Sequence, residues 1–104
     1  MSAPRMGPHN AARGEAQVHI NGVPKKLCLT LGALAQLEAA FDVVSLEELA
    51  QRLQRLSAGD SLIVLAALLN GAGEDIPLSE LSRAAIDVQA AARAIDEAFR
   101  LAFA

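Results

Sequence analysis

The amino-acid sequence predicts an α+β fold that is mainly α: an N-terminal β-hairpin packed on four or five short helices. Three observations carry this. The chain of 104 residues is 53% hydrophobic, yet its only aromatics are three Phe. Aliphatic content dominated by Ala and Leu favours helix over sheet. Apolar residues alternate with polar ones only near the N-terminus, on either side of Asn21-Gly22. Beyond Thr30 they recur every three or four residues, the helical period. A chain this short closes a single core.

Residues 1–14 hold two Pro, two Gly and no periodic apolar pattern, which predicts a flexible leader ahead of one small helical domain over residues 15–104. Met1 and Met6 are alternative starts. The segments Glu15 to Ile20 and Leu27 to Leu29 alternate, and Asn-Gly between them is the strongest short-range hairpin signal. A two-residue turn pairs Ile20 with Val23 and Ala16 with Leu27. A four-residue loop through Pro24 pairs Ile20 with Lys25 and Val18 with Leu27. Both registers put Ala16, Val18, Ile20, Leu27 and Leu29 on one face, which must lie on the helices because an isolated hairpin is barely stable.

Thr30 is placed to cap a helix over Leu31–Phe41, with Leu31, Leu34, Leu37 and Phe41 along one side. Gly32 in its first turn offers room for the strand to approach. Ser45 and Glu48 fit a capping box. The helix they open spaces Leu46, Leu49, Leu53 and Leu56 by three, four and three, and sets Glu48 and Arg52 as an i,i+4 ion pair. Ser57-Ala58-Gly59 is read as its end, with Asp60 capping the next helix. Ser61 to Leu69 is apolar all round, the mark of a central buried helix. Asn70-Gly71-Ala72-Gly73 stops it. Ser79 is expected to cap a short helix through Ile86. Asp87 caps a last one whose stripe is Val88, Ala92, Ile95, Phe99 and Phe103. Residues 79–103 are compatible with one kinked helix or two.

Composition excludes several functions. Net charge is −3, and residues 27–104 carry five Arg against eleven acids, so a broad nucleic-acid surface is not expected. The longest apolar run, Leu62 to Leu69, is far below the ~20 residues that span a bilayer. Cys28 is the single cysteine, which excludes an internal disulfide and a cysteine-rich zinc site. The N-terminus has no apolar core of a secretion signal, so an intracellular protein is expected. Titratable groups that catalysis would bring together are scarce. His9 falls in the leader and His19 on the outer hairpin face. Cys28 reads as a small strand residue. Ser57, Ser61, Ser79 and Ser82 sit near helix starts, where hydroxyls satisfy free N–H groups. The loop Asn70 to Glu74 lacks the Lys of a phosphate loop. Helix Ser61–Leu69 has no cation with which to read bases, against a helix-turn-helix reading. No enzyme, metal or cofactor site is expected.

Two apolar stripes remain as candidate protein-binding surfaces: Leu46, Leu49, Leu53 and Leu56 in one helix, and Ile95, Phe99 and Phe103 in the last. Either faces the core, or, in a small domain with many amphipathic helices, forms a helix-binding groove or a self-association surface.

Further residues carry a resemblance. Asn10-Ala-Ala-Arg13-Gly14-Glu15, the hairpin with Gly22, and the block Leu29-Thr30-Leu31-Gly32-Ala33-Leu34-Ala35-Gln36-Leu37-Glu38 resemble the start of the gene transfer agent/phage tail proteins. The Ser45-Leu46 helix start and the Leu68-Leu69-Asn70-Gly71-Ala72-Gly73 turn also match that family, so the likeness spans roughly residues 10–86. These small proteins of α-proteobacterial gene transfer agents and prophages carry two labels, tail tube protein and tail assembly chaperone. The resemblance implies a non-enzymatic bacterial cytoplasmic protein that partners phage-type tail proteins, the tape measure protein among them, or a structural tail component within phage-like particles. A homo-oligomer is compatible with either role, as is a longer frameshifted product. It carries over no catalytic residues. A tail tube is built from β-barrel subunits and needs a substantial sheet, whereas a chaperone needs a helical body with an apolar surface.

Overall fold

The computed structural model describes residues 15–103. The expected leader over residues 1–14, with His9 and both candidate starts, lies outside the described residues. Asn21 and Gly22 both adopt positive φ, 54° and 79°, the conformation that a two-residue hairpin turn demands. This decides between the two registers. Strand β1 (Glu15–Ile20) pairs antiparallel with β2 (Val23–Cys28), with Ile20 opposite Val23 and Ala16 opposite Leu27. In this register the backbone of Pro24, opposite His19, points outward, where its missing N–H costs nothing. The next outward N–H on β2, that of Lys26, donates to the Glu74 carboxylate at 2.9 Å. The turn itself is clamped: Asn21 N–H donates to the Ala85 carbonyl at 2.9 Å, and Ala85 N–H donates to Asn21 Oδ1 at 2.7 Å. Ala16, Val18, Ile20 and Leu27 are buried as expected, and Leu29 is half-buried just past the end of β2. His19 is exposed.

Helix α1 (Leu31–Phe41) starts at Thr30, whose hydroxyl accepts from Ala33 N–H at 3.1 Å. Its buried positions are Ala33 and Leu37, with Leu34 and Phe41 half-buried. Leu31 is corrected: it is 83% exposed. At about 100° per residue it stands roughly 120° round the helix from Leu37 and misses the core. The helix ends at Asp42 in the left-handed region.

Helix α2 (Leu46–Leu53) opens at Ser45, which accepts from Glu48 N–H at 3.1 Å. The reciprocal half of the box is displaced by one residue, since Glu48 accepts from Val44 N–H instead of Ser45 N–H. Gln54 closes the helix, so Leu56 lies beyond it. Helix α3 (Ala58–Gly71) begins earlier than expected. Ser57 caps it, and Asp60 is the third residue of a capping box, accepting from Ser57 N–H at 3.1 Å. The expected Glu48–Arg52 pair is replaced by Arg52–Asp60 at 2.8 Å, which ties the end of α2 to the start of α3. The Arg52 guanidinium also lies 4.7 Å from the Phe41 ring centroid, over a π face that attracts cations.

The Arg52 hydrogen bond, then that of the Ser57 backbone, holds the Asp60 carboxyl below its ordinary value of 3.8. A carboxylate depressed in the folded state stabilises the fold above the unfolded value, and that contribution disappears as pH falls through the folded one. Asp60→Asn is therefore expected to lower the urea midpoint at pH 7. The gap to the native chain should narrow as pH is taken from 4 toward 2; a constant gap refutes the assignment.

The end of α3 is a Schellman motif. Gly73, at φ 84°, donates to the Asn70 carbonyl and Glu74 N–H to the Leu69 carbonyl at 2.8 Å. Helix α4 (Leu78–Leu81) is shorter than expected and starts at Pro77 with no side-chain cap. Ser79 sits inside it, its carbonyl accepting from the Ser82 hydroxyl. Helix α5 (Val88–Ala102) is separate and capped by Asp87, which accepts from Gln89 and Ala90 N–H. The C-terminal region is thus two helices.

Helix α3 is central. Val64, Leu65, Ala67, Leu68 and Leu69 are buried where α3 meets β2, α1, α4 and α5. The buried face of α5 is Ala94 and Ala98, not the expected large-residue stripe; Val88 is 81% exposed and Phe103 62%. Alanines here let β1 lie close against the helix.

Candidate functional site

The stripes of α2 and α5 meet at a surface groove. Leu49 is buried at its floor, and Leu53 and Phe99 are half-buried. Leu46, 49% exposed in the first turn of α2, and Phe103, at the end of α5, stand at its rim. Leu34 of α1 and Ala50 add to the apolar lining, and among the described residues Glu47 is its only charged one. The volume is about 310 Å³. Helix α2 rests on α1, and apolar side chains of α2 and α5 line the same hollow.

The structure brings together five of the seven predicted residues: Leu46, Leu49, Leu53, Phe99 and Phe103. Leu56 and Ile95 are not among them. Leu56 is half-buried after α2 has ended. Ile95 lines a second hollow of about 290 Å³, between α3, α4 and α5, with Leu62, Leu65, Leu81, Ile86 and Val88. Leu34 was missed because its spacing with Leu37 and Phe41 suits a core stripe equally well. Ala50 and Glu47 carried no apolar or catalytic signal in the sequence.

A third, polar hollow of about 500 Å³ is bounded by Asp42, Val43, Glu48, Gln51, Arg52 and Arg55. Two of its polar side chains are engaged inside the fold: Glu48 accepts from Val44 N–H, and Arg52 holds Asp60 and donates to the Arg55 carbonyl. Among the described residues no group of three or more His, Cys, Asp or Glu is placed to hold a metal ion, and no helix is long and apolar enough to cross a membrane.

The candidate site is thus an apolar surface hollow bounded by α1, α2 and α5. No curated protein and no solved structure matches the chain. Residues 13–104 match the family described as phage tail tube protein, GTA-gp10, and the chain belongs to that family of phage tail proteins of gene-transfer-agent type.

Proposed function

We propose that the chain is a tail assembly chaperone, acting in the bacterial cytoplasm by binding alone, that holds the tape measure protein until the tail is assembled. The groove between α2 and α5 carries this reading. Leu46 and Phe103 leave large apolar surface in water at its rim, and burying such side chains against a client contributes about 1.5–3 kcal/mol for each one fully covered. A long helical client with apolar segments is the complementary surface. The family description favours a second reading, a tube subunit within phage-like particles. Against it stands the sheet, which among the described residues is one two-stranded hairpin. A tube ring needs strands enough to close a barrel.

Co-expression with the tape measure protein from the same source tests the proposal. The expected result is a soluble complex that copurifies with this chain, together with purified particles that lack it. Stable retention in washed particles, in ring-like proportion to other tail proteins, would overturn it.

A further inference from the structure

Building on that reading, we infer that the α2–α5 groove takes an amphipathic helix of the client, with its apolar stripe on Leu49, Leu53 and Phe99 and a Lys or Arg at its edge paired with Glu47. Shape is the first support. The two helices line one apolar hollow of about 310 Å³, with Leu46, Leu49 and Leu53 spaced by three and four along one wall, and anchors at that spacing suit the apolar stripe of a helix.

Charge is the second support. Among the described residues Glu47 is the one charged residue in an otherwise apolar lining, and its carboxylate has no hydrogen-bond or ion-pair partner there. Asp96 lies one helical turn before Phe99, and the residues from Glu15 to Phe103 carry twelve acids against seven cations. A cation at the guest's edge completes this site. A second copy of the chain would set Glu47 and an acidic surface against their like, which costs affinity. Residues 1–14 are cationic but, with two Pro and two Gly, present no apolar helical stripe.

The test uses the full chain co-expressed with the tape measure protein, with a photo-crosslinking amino acid in place of Ala50. Adducts should map to one segment of the client that is amphipathic at helical spacing and bears a Lys or Arg at the edge of its apolar stripe. Adducts to a second copy, or to residues 1–14, overturn the inference. Glu47→Lys should weaken client binding roughly tenfold at low salt, less at high salt. Leu46→Asp with Phe103→Asp, both at exposed positions, should abolish binding while circular dichroism stays native-like. Val44→Asp, 89% exposed and outside the groove, should bind as the native chain does. If the native chain captures no tape measure protein, the chaperone reading fails. If it does so while Glu47→Lys and the double variant bind undiminished, only the groove assignment fails.

Discussion

Leu68→Ala is expected to destabilise the protein by about 2–5 kcal/mol, a large part of the stability of a domain this size. Leu68 is fully buried on α3, the helix that meets β2, α1, α4 and α5. Neighbours approaching from several sides cannot all relax into the space left by the lost methyl groups. The change therefore removes transfer energy and leaves a cavity as well. Leu65, one turn earlier, borders the hollow beside α4, so its truncation opens a void that can collapse or hydrate, at smaller cost. His19→Ala, on the exposed hairpin face, sets the baseline at roughly 0.5 kcal/mol or less. Urea denaturation of the three variants checks the order. Equal midpoints for Leu68→Ala and His19→Ala would mean that α3 is not central.

Gly71→Ala is expected to destabilise by about 1–3 kcal/mol or more, although alanine is the better helix former. Gly71 is the last residue of α3, where the chain leaving β2 crosses over it. A β-carbon there would collide with the Cys28 carbonyl and sit only 3.1 Å from Thr30 Oγ1 and 3.3 Å from Ala33 Cβ. The carbonyl belongs to a backbone that also accepts from Thr30 N–H, and the Thr30 hydroxyl caps α1. Relief of the clash must shift β2, α1 or both. Gly59→Ala is the control, because a β-carbon there meets only Ser57 Oγ at 3.9 Å. It should be neutral or mildly stabilising. A Gly71→Ala variant as stable as the native chain would mean that strand and helix lie further apart.

Much of the fold was legible because its signals are short-range. Asn21-Gly22 dictated a hairpin, and Thr30, Ser45 and Asp87 marked helix starts, because each satisfies backbone groups within about three residues. The same locality explains the errors. Ser57 and Asp60 form one capping box, and a reading from sequence that took Asp60 as the cap began α3 too late. Glu48 and Arg52 had the right spacing to pair, yet Asp60 offers Arg52 a partner from another helix, and Glu48 turns back to Val44 N–H. Close approach was expected at Gly32, where a β-carbon would meet nothing nearer than 3.9 Å; it occurs at Gly71.

The candidate site divides along the same line. That the stripes of α2 and α5 are apolar was evident from spacing. That Leu46, Leu53, Phe99 and Phe103 share one groove, while Ile95 borders another and Leu56 neither, depends on where the helices stand.

By itself the sequence determined the hairpin and the order of the helices through α3, the hairpin's buried face, the central place of α3 and the family resemblance that the match over residues 13–104 bears out; that the C-terminal region is two helices was decided by the structure. Only the tertiary structure decided which part of the apolar face of α5 is buried. Periodicity states that α5 has a broad apolar arc, in which alanines lie beside Ile95, Phe99 and Phe103, but hydrophobicity alone does not choose the part of that arc that packs. Packing against β1 favours the smallest side chains, so Ala94 and Ala98 go inward, and Val88 and Phe103 are left at the surface.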